Sequence, residues 1–200
     1  CGVAGGSGNN DGVRLMSCQI FTAGLSSNVN SAAIAFVYAA DNGAQIAQCS
    51  FGYQNGTYSS DMEYFQNYSL EYFAIQYFLD KERFAEMEER LNKQLAEKGK
   101  PARTKVIDGP LVIFAAGNDG YHLAGYPAAH RDYIAVSAFG PDYLPAVYTN
   151  YGPGSNISAP GGDSSINRTP ESNRAQVLST VPSDCSAYNT DYGYMEGTSM

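Results

Sequence analysis

Residues 30–52 read "NSAAIAFVYAADNGAQIAQCSFG", and the change of pattern inside this stretch decides the fold class. Its first half is rich in alanine and carries Ile34, Val37 and Tyr38 at the three-to-four spacing of one helix face. Gly43 then stands where a helix ends in a left-handed residue. "QIAQCSFG" follows as a short strand. Just upstream, "VRLMSCQIF" (13–21) is an apolar-rich run without strict alternation, as expected of a central strand covered on both faces. Strand, helix and strand of these lengths make one right-handed crossover, so the sheet is expected to be parallel.

Working outward, residues from about 60 to 97 keep a helical pattern. "LEYFAIQYFL" (70–79) is apolar on several sides, and Phe84, Met87, Leu91 and Leu95 form a single stripe on the charged run that follows. "GKPART" (99–104) ends that helix, because Gly99 can cap it and Pro101 cannot continue it. "LVIFAAG" (111–117) and "YIAVSAF" (133–139) read as further strands, and "AQVLSTV" (175–181) as a fifth. The fold class is therefore α/β, three layers around a mainly parallel central sheet. Ligands in such domains bind beyond the carboxyl ends of the strands.

Composition narrows the function. The formal charge of −8 and sequence pI near 4.6 argue against nucleic acid or an acidic membrane as partner, since both require clustered Lys and Arg. No apolar run has the length of a membrane-spanning helix, and no signal peptide opens the chain. Cys1, Cys18, Cys49 and Cys185 are scattered, without zinc-site spacing, and read as isolated thiols, with one disulfide left open. The N-x-S/T triplets at Asn55, Asn67, Asn156 and Asn167 carry no weight without a secretory context.

Chemistry is sought where the strands end: Ser50, Phe51 and Gly52 after one, and Gly117, Asn118 and Asp119 after the next. In order, "VRLMSCQIF", "AAIAFVYAADNGAQIAQCSFG", "VIFAAGNDG", "GYPAAHRDYIAVSAF", "ISAPGG" and "GTSM" resemble the catalytic domain of subtilisin-like serine proteases across nearly the whole chain. The resemblance implies that Ser199 is the nucleophile at the start of a buried helix, and that its amide helps hold the oxyanion. It implies that Asn118 donates its side-chain amide to the same oxygen. Ser50, Phe51 and Gly52 would pair with extended substrate backbone, and Ala115, Ala116 and Gly117 would form one wall of the primary specificity pocket. A large apolar or aromatic substrate residue suits walls so small. No cofactor is required. Tyr126 and Pro127 match a segment that in some relatives offers carbonyls to a weak metal site, so calcium remains open as a structural ion, but no metal ligand is assigned among the acidic residues.

The sequence also departs from the family. It has neither an Asp-Thr/Ser-Gly nor a His-Gly-Thr-His motif, and its two histidines, His122 and His130, fall in the wrong context for a base and read as surface residues. The opening "CGVAGG" resembles the stretch after the family's histidine-bearing helix. Residues 1–200 are thus expected to be part of a subtilase catalytic domain, incomplete at both ends, with about 60–105 as a helical insertion plus linker. They are expected to be inactive alone, because an unactivated serine hydroxyl is a poor nucleophile. Polypeptides are the expected partners and secretion or the cell surface the expected location. The alternative is a catalytically dead pseudoprotease acting as a peptide- or protein-binding module; retention of both Ser199 and Asn118 stands against it.

Overall fold

The computed structural model describes residues 14–21, 29–53, 58–103, 107–166, 175–182 and 191–200. Cys1, Cys185, the opening "CGVAGG" and the triplets at Asn55 and Asn167 lie outside the described residues. The chain divides into two compact units, one made of Leu15–Gln48 and Ser60–Ile113, the other drawing its described residues mainly from Cys49–Ser59 and Phe114–Met200.

The first of these units holds four helices, α1 (Val29–Asp41), α2 (Asp61–Asn67), α3 (Ser69–Leu79) and α4 (Lys81–Glu97). Gly43 adopts φ +83° just past α1 and Gly99 φ +64° just past α4, so both stops expected from glycine are present. The single helix expected over 60–97 is three. Tyr68 leaves helical geometry between α2 and α3, and Asp80, extended at ψ 116°, starts α4 by accepting Arg83 N–H at 2.9 Å. Apolar periodicity does not register a one-residue break.

α1 packs on α3 through its smallest residues. Ala32, Ala33, Phe36, Ala39 and Ala40 are buried, whereas Ile34, Val37 and Tyr38 are exposed. The expected face is corrected because single methyl groups let two helices approach more closely than branched side chains do. Phe36 then meets Phe78 edge-on at 6.1 Å. On α4, Phe84 and Met87 are buried and Leu91 and Leu95 half-buried, so the expected stripe holds at its start and fades. Arg83 donates to Ala40 O, Tyr77 O and Phe78 O at 2.8, 2.8 and 3.0 Å, satisfying the open carbonyls at the ends of α1 and α3.

A sheet of four strands runs in the order β1 (Ile46–Cys49), β2 (Leu111–Ala115), β3 (Ile134–Phe139) and β4 (Ile157–Pro160). It is mainly parallel; in the β3–β4 pair Val136 stands opposite Ile157. The architecture is α/β. Residues 14–21 form no strand, contrary to expectation: Leu15 and Phe21 are exposed, and an apolar run becomes a central strand only where partners flank both of its edges. "AQVLSTV" does hold a strand. β5 (Val177–Thr180) lies outside the main sheet, in an antiparallel pair with β6 (Tyr192–Met195).

In the second unit the Phe114 ring meets Phe51 edge-on at 5.5 Å and Tyr133 at 5.6 Å. His130 stacks on Tyr133 at 4.5 Å and is buried, not a surface residue. Its Nδ1 accepts Asp132 N–H at 3.3 Å, a turn contact the isolated sequence does not reveal. His122 is exposed against Tyr151. Cys18 is half-buried, Cys49 is buried, and neither forms a disulfide.

Candidate active site

Three segments far apart in sequence meet within the second unit. Residues 50–53 leave β1, the turn 116–121 leaves β2, and residues 196–200 leave β6. Ser50 Oγ–H donates to Ser199 O at 3.2 Å, tying the first segment to the third. Gly117 N–H donates to Thr198 Oγ1 at 3.2 Å, tying the second to the third.

Asn118 is the centre of this junction. Its Oδ1 accepts Thr198 N–H at 2.8 Å and Thr198 Oγ1–H at 2.9 Å. A hydroxyl has one proton, so Thr198 passes it to Asn118 while accepting from Gly117. With Oδ1 bonded twice, Nδ2 must point the other way, and it donates to no protein acceptor among the described residues. A β-carbon on Gly197 would lie 3.5 Å from Asn118 Nδ2 and 3.7 Å from Ser199 N. Both nitrogens thus stand near one point beside Gly197, which Met200 Sδ approaches as well, at 3.4 Å, and Gly197, at φ +151°, adds no side chain of its own there.

The remaining sequence-predicted residues occupy varied positions. Ser50, Gly52 and Asn118 are exposed, Phe51, Ala115, Gly117 and Ser199 half-buried, and Ala116 fully buried. The Phe51 ring is committed to Phe114, which leaves its backbone as the part it can offer. Tyr53 N–H donates to Tyr126 O at 2.8 Å, joining the 50–53 segment to the turn around Pro127. Tyr126 and Pro127 belong to the segment that in some relatives offers carbonyls to a metal. No group of three or more His, Cys, Asp or Glu stands ready to hold an ion among the described residues.

Glu196 fastens the start of the 196–200 segment to Ser164. Glu196 accepts Ser164 N–H at 2.5 Å and Ser164 Oγ–H at 2.9 Å. Burial would raise the pKa of Asp163, but hydrogen bonds from Ser165 Oγ, Val147 N and Ser165 N outweigh it and hold the carboxyl below its ordinary value. The single Tyr148 O–H is shared between Gly161 O and Gly162 O, at 2.8 and 2.6 Å. Burial pushes its pKa up to about 12, aided by the charges of Glu196 and Asp163 and opposed by a backbone hydrogen bond from Gly197. It remains a neutral donor at any ordinary pH.

Sequence reasoning missed Thr198, Tyr148 and Asn150. Thr198 had a signal, its place beside Ser199 in "GTSM". Asn150 had none, because the turn it serves lies about 30 residues earlier.

The Subtilase family model matches residues 1–200. Halolysin of Haloferax mediterranei is 40% identical over 90 residues, which cover 45% of this chain and 14% of halolysin. The halolysin-like extracellular serine protease Nep of Natrialba magadii is 35% identical over 92 residues, 46% of this chain and 14% of Nep. The crystal structure of a lanthipeptide protease matches with a TM-score of 0.59 at 18% identity, over 91% of this chain and 50% of that one, a likeness of fold. The aligned segments thus make up half or less of each of these longer proteins.

Proposed function

Because this chain belongs to the subtilase family, we propose that the protein carrying it is a serine endopeptidase with Ser199 as nucleophile. Ser199 Oγ attacks the carbonyl carbon of a peptide bond and passes its proton to an imidazole base. The carbonyl oxygen, now negative, accepts from Asn118 Nδ2 and Ser199 N. Collapse of this intermediate expels the amine, protonated by the same imidazole, and water then hydrolyses the acyl-enzyme. The observation that carries the reading is the approach of those two nitrogens to one point beside Gly197.

Neither histidine of the chain stands in the base's sequence context, so the base and the aspartate that orients it belong to motifs outside these residues. The 200 residues alone are expected to hydrolyse no peptide. Ser50, Phe51 and Gly52 offer backbone to an extended substrate. Ala115, Ala116 and Gly117 flank the pocket for a large apolar or aromatic side chain. We read 60–105 as an insertion within the catalytic domain. The chemistry requires no cofactor, and calcium, where it binds, serves the fold. A secreted or cell-surface location is supported by the relative named as extracellular.

Fluorophosphonate labelling of the full-length protein, beside its Ser199→Ala variant, tests the reading. Labelling that depends on Ser199 supports an activated nucleophile. A folded, processed protein that takes no label refutes it and favours the peptide-binding alternative.

A further inference from the structure

Asn118 is held by its side chain through Thr198, but it sits at the apex of an exposed turn whose backbone needs a hold of its own. Asn150 supplies one. It is fully buried, and its Nδ2 donates to Ala116 O at 2.9 Å. Its Oδ1 accepts Asp119 N–H at 3.0 Å and Tyr121 N–H at 3.1 Å, and its own N–H donates to Gly117 O at 3.0 Å. These four bonds straddle Asn118 and none touches it.

The fit is mutual. Gly117 adopts φ +111°, and a β-carbon there would lie 2.1 Å from Asn150 Nδ2, so the buried amide fills the space that any other residue at 117 would need. Asn150 is anchored in turn: Thr149 Oγ1 donates to Asn150 O at 3.1 Å and accepts Ala138 N–H, from β3, at 2.8 Å.

We propose that Asn150 is a positioning residue that fixes the 116–121 turn and, through it, the aim of the Asn118 amide at the reacting carbonyl. The proposal rests on the oxyanion reading of Asn118. Its loss need not unfold the unit, because Asp119 and Tyr121 are exposed and water can take their amides, while Ala116 O still accepts Gly125 N–H at 2.8 Å. The turn would loosen.

The test is a double-mutant cycle in the full-length protein, Asn118→Ala, Asn150→Ala and both, read as kcat and KM on a peptide amide, with hydrogen exchange over 116–122. Asn150→Ala should lower kcat about tenfold, short of the 10²–10³ that losing an oxyanion donor outright costs. KM should stay within about twofold, because uniform binding is untouched, and the Asp119 and Tyr121 amides should exchange faster. The double variant should match Asn118→Ala, since a positioning residue has nothing left to position.

Full multiplication of the two losses, or an unchanged kcat in Asn150→Ala beside a damaged Asn118→Ala, overturns this proposal alone. An unchanged kcat in Asn118→Ala overturns the oxyanion reading and this proposal with it. If the alanine variant does not fold, Asn150→Asp carries the test: it keeps the acceptor and regains a donor to Ala116 O on protonation. At pH 8 its kcat should fall about tenfold with KM within about twofold, because a carboxylate cannot donate to Ala116 O. A kcat equal to the parent's overturns the proposal.

Discussion

Thr198→Val is the sharpest perturbation of the candidate site, because it removes one hydroxyl and little volume. Two contacts go: the 2.9 Å bond to Asn118 Oδ1 and the 3.2 Å bond from Gly117 N–H. The 2.8 Å bond from Thr198 N–H to Asn118 Oδ1 stays. A neutral hydrogen bond contributes about 1 kcal/mol net, so the amide loses roughly half of its orienting energy. In rate terms about 1 kcal/mol is fivefold, and the ceiling is the 3 to 4 kcal/mol or so that the donor itself is worth. kcat should therefore fall about five- to tenfold with KM unchanged, since Thr198 bonds to Asn118 and not to the incoming peptide. Separately, Gly117 N–H is left without its acceptor in a half-buried place, which lowers stability by about 1 to 2 kcal/mol. Steady-state hydrolysis of a peptide anilide and a urea melt, both on the full-length protein, measure the two effects. An unchanged kcat in a protein where Asn118→Ala is strongly impaired would refute the orienting role.

Three other outcomes follow from features of the two units. The Asp163 carboxyl has its pKa held below the ordinary 3.8, so its contribution to stability is fully present above that value and disappears as pH falls through the lower, folded one. Asp163→Asn should melt below the parent at neutral pH, and the gap should close under strong acid; a gap independent of pH contradicts the hydrogen-bond account. Tyr148 behaves in the opposite sense. Its pKa is raised from 10.0 to about 12, so stability present below pH 10 is lost as pH rises towards 12, and Tyr148→Phe should lack that alkaline loss in paired thermal melts. In the helical unit, a β-carbon on Gly43 would meet Arg103 Nη1 at 2.3 Å and Leu91 Cδ1 at 2.5 Å, at φ +83°. Gly43→Ala should cost about 2 to 4 kcal/mol in a denaturant melt, and a near-neutral result would show that α4 yields easily.

What could be read without coordinates followed a physical division. Glycine stops at Gly43 and Gly99 were legible because a left-handed residue is a local requirement, and the β2 and β3 runs because burial along the strand leaves a compositional mark. The face of α1 was misread because the size of a residue says how much it gains by burial, not how close two helices can come; Ala39 and Ala40 took the contact and Tyr38 did not. Residues 14–21 were misread because a strand's partners are not written in the strand, and for the same reason the pairing of β5 with β6 could not be foreseen. In the candidate site, the segments around Ser50, Asn118 and Ser199 were visible as motifs. Asn150 and the buried His130 were not, since each earns its position through bonds to backbone atoms that any residue would supply.

The paired bonds on Asn118 Oδ1 bear on how such a protein ages. Hydrolysis of the amide to a carboxylate would keep the bonded oxygen and its two contacts with Thr198, and would replace only the nitrogen. The outline of the side chain would hardly change, yet an N–H donor would become a second, negatively charged acceptor where the proposed mechanism calls for a donor. A stored sample could thus retain its melting temperature and its spectrum while losing turnover, and its chemical history would be found by peptide mapping of residue 118 rather than by any test of folding.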